Sequence, residues 1–222
     1  MLVDIEPFSL VDYPGLIAAT VFFSGCNFRC GYCHNPTLVK NEGKPGISTG
    51  EVCSFLQTRQ GLLDGVCLTG GEPLLSGEVK TLAKGIKELG FKLKLDTNGS
   101  NLEKLKEIAP FLDYIALDIK AAPEKYAQLT NCPEAWTKVG RTVNWLRTSG
   151  IQHEFRTTVL PVWHSPEELR LIREYLGAGE KWILQQFREP PGGVLDGKTY
   201  EGFSDGELRE MARKLGCETR GL

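Results

Sequence analysis

Short, mostly continuous apolar runs recur along the chain, and each is followed by a stretch whose apolar positions repeat at helical spacing. The runs Ala18–Phe23, Gly65–Leu68, Phe91–Leu95, Tyr114–Ile119, His153–Leu160 and Trp182–Phe187 are predicted strands. Ser48 precedes Glu51 at capping-box spacing and opens a helix to about Gln57. Further helices are predicted over Gly77–Leu89, Leu102–Ile108 and Glu134–Ser149, stopped by Gly90, Pro110 and Gly150, and then over Pro166–Leu176 and Ser204–Leu215. About six strand–helix units in strict alternation, with strands too apolar to wet one face, predict an α/β chain whose parallel sheet is covered by helices. An incomplete (β/α)6 barrel fits this order best. Residues 1–15 form a lead-in, and 189–203, opening on EPPGGVLDGK, is a loop or flap expected to cover the site.

Composition narrows the partners. With 222 residues, 41% hydrophobic and 24% charged, the chain is expected to bury one core as a single domain over 1–222. Its 26 Lys+Arg against 28 Asp+Glu leave a net charge of −2 with no basic run, so neither nucleic acid nor an anionic membrane is expected. No apolar stretch approaches the ~20 residues of a membrane span, and the acidic start MLVDIE is no signal peptide, so a cytoplasmic location is expected. Seven cysteines in a reducing compartment are free to bind metal rather than to pair. Cys53 and Cys67 read as small buried apolar residues, Cys132 and Cys217 carry no motif, and His153 and His164 receive no role.

Three of those cysteines, Cys26, Cys30 and Cys33, stand at C-x3-C-x2-C spacing immediately after the first predicted strand. Thiolates on one tight loop can each take a corner of a cubane iron–sulfur cluster and leave its fourth iron without a protein ligand. A zinc knuckle lacking its fourth ligand, which His34 as the neighbour of Cys33 cannot easily supply, and a Cys30/Cys33 redox pair are the alternatives. Further polar signals fall at successive strand ends: Gly70-Gly71-Glu72-Pro73, Asp96-Thr97-Asn98-Gly99 and Asp118-Ile119-Lys120. The two glycines let a backbone approach closely, and Glu72 can accept from an ammonium group. Arg156, inside the fifth strand, is expensive there unless it meets an anion or pairs with Glu154 or Glu180. One of Gln185 and Gln186 must face the barrel interior.

The cysteine motif, with the aromatic Tyr32 before its third cysteine, resembles that of the radical S-adenosylmethionine superfamily. The resemblance implies a partial barrel of that type, one [4Fe-4S] cluster on Cys26, Cys30 and Cys33, and reductive cleavage of S-adenosylmethionine to a 5′-deoxyadenosyl radical. Gly70, Gly71 and Glu72 resemble the superfamily's GGEP motif. Asp96, Thr97, Asn98 and Asp118 resemble the DTNG and D-x-K elements of glycyl-radical-enzyme activases, which contact the ribose and carboxylate end of the ligand and can share a monovalent cation. A cation between Asp96 and Asp118 would relieve their repulsion. Tyr32-Cys-His34-Asn35-Pro is similar to the activase form of the loop, implying that Tyr32 and His34 border adenine, with Arg156 and Gln185 as further ligand contacts. The stretch Phe8-Ser-Leu-Val-Asp12-Tyr-Pro-Gly15 is similar to activases of anaerobic ribonucleoside-triphosphate reductase. It implies a glycyl-radical protein, that reductase, as partner and a flavodoxin- or ferredoxin-type electron donor. The alternatives are a radical enzyme acting on a small molecule or peptide, and a non-catalytic iron–sulfur or zinc protein.

Overall fold

The computed structural model describes residues 1–41 and 45–222. Eight strands form one sheet in the order of the chain: β1 (Leu2–Ser9), β2 (Ala18–Phe23), β3 (Gly65–Gly70), β4 (Lys92–Thr97), β5 (Tyr114–Asp118), β6 (Gln152–Val159), β7 (Trp182–Gln186) and β8 (Glu218–Arg220). β2 to β8 run parallel, each paired with the next. Among the described residues β1 and β8 end the sheet without pairing to each other, so the barrel is incomplete, as expected. The parallel order brings the ends of β2 to β7 to one mouth, which is where loops of function gather in such barrels.

The helices are α1 (Pro36–Lys40), α2 (Thr49–Gln57), α3 (Val79–Glu88), α4 (Leu102–Ile108), α5 (Pro123–Thr130), α6 (Ala135–Ser149), α7 (Pro166–Leu176) and α8 (Asp205–Leu215). Their starts follow local chemistry. Ser48 and Ser204 each close a reciprocal capping box with Glu51 and Glu207, and Ser165 caps α7 ahead of Pro166. Val79, Leu82, Ala83 and Ile86 of α3 form one buried stripe, and truncating Leu82 to Ala would cost about 2–5 kcal/mol.

Two sheet edges differ from the sequence expectation. The lead-in contains β1, antiparallel to β2, whose exposed Glu6-Pro7-Phe8 tip hides the alternation of a strand. β8 is three polar residues docked beside β7. Its Arg220 crosses to the fully buried Glu154 of β6 with bonds of 2.6 and 2.9 Å, and Tyr114 adds a third at 2.9 Å. The short α1 and α5 were also not anticipated.

The segment 189–203 does not border the cavity. It straps the outside of the cysteine loop instead: Asp196 N–H donates to Gly31 O at 3.0 Å, and Tyr200 O–H bonds Asp196 Oδ2 at 2.6 Å. A Cβ on Gly31 would sit 2.5 Å from that carboxylate.

Candidate active site

β2 ends at Phe23 and releases the chain into the cysteine loop, which is fixed by partners outside it. Gly25 N–H bonds Leu38 O at 2.7 Å, Arg29 N–H bonds Thr130 O at 2.8 Å, and Asn98 Nδ2 reaches Cys26 Sγ at 3.7 Å. Cys30 is buried while Cys26 and Cys33 are half-buried, and all three border a cavity of about 210 Å³. Burial pushes the Cys30 thiol up to about 12 and raises Cys26 as well.

The turn after β3 locks onto this loop. Gly71 N–H donates to Phe23 O at 2.7 Å and Glu72 N–H to Gly25 O at 2.8 Å. A Cβ on Gly71 would lie 2.1 Å from Gly25 O, and Gly70 has φ +111°, so both positions demand glycine. The approach these glycines permit is that of the chain's own cysteine loop, although both also border the cavity.

Glu72 departs from expectation. It is fully buried and does not line the cavity. Its carboxylate accepts from Thr97 Oγ1 at 2.7 Å, Asn98 N–H at 2.7 Å and Leu74 N–H at 3.0 Å, so its donors come from the chain itself and not from the cavity. Burial outweighs those three donors and pushes its pKa up to about 7. Glu72 is a brace between the β3 and β4 turns. Thr97 and Asn98 share that brace, and Asn98 adds a 3.0 Å bond to Asn27 in the cysteine loop, yet both still border the cavity.

The other two carboxylates sit in a row of alternating charge: Lys94, Asp96, Arg156, Asp118, Lys120. Lys94 Nζ bonds Asp96 Oδ1. Arg156 Nη1 bonds Asp96 Oδ2 at 3.0 Å and its Nε bonds Asp118 Oδ1 at 2.8 Å, while Lys120 Nζ bonds Asp118 Oδ2 at 3.0 Å. Burial alone would raise both carboxyls, but Arg156 and Lys94 hold Asp96 below the ordinary range, and Arg156 and Lys120 hold Asp118 well below it. The anion that Arg156 calls for is thus these two aspartates, neither Glu154 nor Glu180. Three cations against two anions leave one excess positive charge, and Arg156 and Lys120 both border the cavity.

The sequence model described as the Radical SAM superfamily matches residues 20–175, which span this whole constellation from the cysteines to Arg156. The chain belongs to that superfamily. It is 29% identical over 92% of its length, and 87% of the relative's, to a Methanocaldococcus jannaschii protein named as a glycyl-radical enzyme activating enzyme. It is 30% identical to the pyruvate formate-lyase-activating enzyme of Listeria monocytogenes, over 78% of this chain and 74% of that one. In structure it is similar to Streptococcus suis SuiB bound to its precursor peptide SuiA, with a TM-score of 0.74 at 14% identity over 91% of this chain. It spans about half of that chain, 48%, and the likeness is one of fold.

As a radical S-adenosylmethionine enzyme of the activase type, the chain is expected to hold a [4Fe-4S] cluster and S-adenosylmethionine at this mouth, and its residues fit both. Three cysteines border one cavity without a fourth beside them, and His34 Nε2 is buried there with no protein partner. His34 lies tilted against Phe187 with ring centroids 4.9 Å apart, and Tyr32 meets the same ring edge-on at 6.5 Å. Gln185 borders the cavity while Gln186 is buried and donates to Phe203 O, which resolves the choice the sequence left open.

A monovalent cation fits less well. Every oxygen of Asp96 and Asp118 already holds a cationic donor of the chain itself.

Sequence reasoning missed several residues. Lys94 shares the inward face of β4 with Asp96, two positions on, and alternation was the signal available. Cys67 is buried as expected but polar in its contacts, with Sγ 3.6 Å from Asp96 Oδ1 and 3.8 Å from Lys94 Nζ. His164, fully buried, accepts from Leu160 N–H at Nδ1 (3.1 Å) and faces Lys120 O at 2.8 Å through Nε2, which fixes a neutral imidazole with Nε2–H. Burial lowers its pKa, in keeping with that form. Tyr126 Oη takes Lys120 N–H at 3.3 Å, so the backbone of Lys120 is clamped on both sides and its ammonium is aimed at the cavity.

Proposed function

We propose that residues 1–222 act as one domain that activates a glycyl-radical protein in the cytoplasm, anaerobic ribonucleoside-triphosphate reductase being the partner the sequence resemblance favours. The observation that carries this reading is the meeting, around one cavity, of three cysteines from the β2 loop with the positively charged row of β4 to β6. Cys26, Cys30 and Cys33 hold the cluster. Bound there, the cluster supplies the single electron that cleaves S-adenosylmethionine to methionine and a 5′-deoxyadenosyl radical. Arg156 and Lys120 receive the ligand's carboxylate, because each has a donor left after its aspartate is served. Tyr32, His34 and Gln185 border the adenine. Gly70 and Gly71 keep the β3 turn against the cysteine loop, so that the ligand and the cluster are presented in one geometry. The partner's glycine, brought to the mouth, then gives up an α-hydrogen. A flavodoxin- or ferredoxin-type protein is the proposed source of the electron.

The test is anaerobic reconstitution. The native protein is expected to be brown and, with dithionite, to convert S-adenosylmethionine to methionine and 5′-deoxyadenosine, while Cys30→Ala abolishes both; cleavage retained by Cys30→Ala defeats the ligand assignment. Added reductase should show a glycyl doublet by electron spin resonance. Cleavage without a doublet from any glycyl-radical protein tried would direct the radical to a small molecule or peptide instead.

A further inference from the structure

The alternating row leaves no carboxylate oxygen for a metal ion. Asp96 Oδ1 holds Lys94 and Asp96 Oδ2 holds Arg156 at 3.0 Å; Asp118 Oδ1 holds Arg156 at 2.8 Å and Asp118 Oδ2 holds Lys120 at 3.0 Å. The sequence asks for a cation between two carboxylates, and the chain supplies three. Adding sodium or potassium would place a second excess positive charge in a low-dielectric interior, beside a guanidinium that cannot lose its proton. Lys94 has no escape from that position. Its side chain is 1% exposed, projects from the middle of β4 on the face of Asp96, and has Cys67 Sγ at 3.8 Å as its only other polar contact among the described residues.

We propose that Lys94 is the resident cation of this site, a positioning residue that takes the place of a monovalent metal ion and makes ligand binding independent of sodium or potassium. Lys94 neutralises the far oxygen of Asp96, so that Arg156 is shared evenly between Asp96 and Asp118 and keeps Nη2 clear of both. With Lys120 it then presents a fixed pair of donors to the carboxylate of an amino-acid ligand. The inference rests on S-adenosylmethionine as the ligand and not on the identity of the protein partner.

The experiment measures S-adenosylmethionine binding by the anaerobically reconstituted full-length protein in potassium, sodium and tetramethylammonium chloride at equal ionic strength. The native dissociation constant should change by less than about twofold among the three salts. Lys94→Met should bind about tenfold or more weakly in tetramethylammonium, because Asp96 Oδ1 is left buried with only the weak Cys67 thiol as donor, and should recover in potassium. That recovery is a readout a merely structural lysine would not give. A native protein that loses tenfold in tetramethylammonium overturns the proposal without recourse to any variant. So does a Lys94→Met protein with native affinity in every salt, or one weakened equally in all of them. Thermal unfolding of ligand-free Lys94→Met, expected to rise with potassium and not with tetramethylammonium, supplies a second reading should cluster loading fail. Native protein that binds in none of the salts would overturn the reading of the cavity itself and leave the role of Lys94 without a site.

Discussion

Two kinds of buried carboxylate stand side by side at the mouth of this barrel. Glu72, at the end of β3, is held by a hydroxyl and two backbone N–H groups and by no cation, and its pKa rises to about 7. Asp96 and Asp118, at the ends of β4 and β5, are each held between two cations, and theirs fall. Burial acts in the same direction on all three, Glu72 at 0% exposure and Asp118 with a side chain 25% exposed, and would raise each of them. What decides the direction is whether charge or neutral dipoles answer the carboxylate, and the same difference separates a brace from a cavity-lining site.

Removing Arg156 should break the comparison most severely, since one substitution strips a partner from both aspartates. Arg156→Met is expected to cost about 3–5 kcal/mol in urea unfolding of the metal-free chain at pH 7. A loss below about 1 kcal/mol, the range of an exposed pair, would mean that Lys94 and Lys120 suffice by themselves. Glu72→Ala leaves the Thr97 hydroxyl and the Asn98 and Leu74 N–H groups without their acceptor, for an expected cost of about 1–3 kcal/mol in the same assay. It should also loosen the β4 turn from the cysteine loop and slow cluster loading. Native loading rates in Glu72→Ala would deny it the part of a brace.

The smallest effect is a difference in slope with pH. Glu72 has its folded pKa raised, so its contribution to stability is full below its ordinary value of 4.5 and is lost as pH rises toward about 7. The aspartates have theirs lowered, so their contribution is present above the ordinary value of 3.8 and is lost as pH falls below it. The stability of the native chain relative to Glu72→Gln should therefore decline between pH 4.5 and 7, whereas relative to Asp118→Asn it should decline only on the acid side of 3.8. Parallel curves for the two pairs would erase the distinction.

Strand and helix order was legible because each unit repeats the same bargain of apolar strand, capped helix and glycine stop; Leu102–Ile108 and Pro166–Leu176 fall where the pattern puts them. The edges were not. β1 carries Pro7 and an exposed tip, and β8 is Glu-Thr-Arg, a sequence that becomes a strand only because β7 offers hydrogen bonds and Glu154 a partner. At the mouth, motif residues were legible as types, while their division of labour was not. Glu72 and Asp96 look alike in one dimension; only the positions of Thr97, Lys94 and Arg156 in space tell them apart. Lys94 reads as one more surface lysine beside Lys92 until the pleat turns it inward.

Most anchors of the cysteine loop, Glu72, Asn98, Ser100, Thr130 and Asp196, lie far along the chain from it, and Leu38 close by. Its backbone is tied by Leu38, Glu72, Thr130 and Asp196, its side chains by Asn98 and Ser100. Emerging from the ribosome N-terminus first, Cys26, Cys30 and Cys33 are the earliest part of the mouth to be made and the last to be held still. Until some 160 further residues have followed, the strap at Asp196 does not exist, counting from Cys33 to Asp196. A nascent chain stalled short of that point can hold the loop by Leu38, Glu72, Asn98 and Thr130 but leaves the turn at Gly31, between Cys30 and Cys33, without its strap.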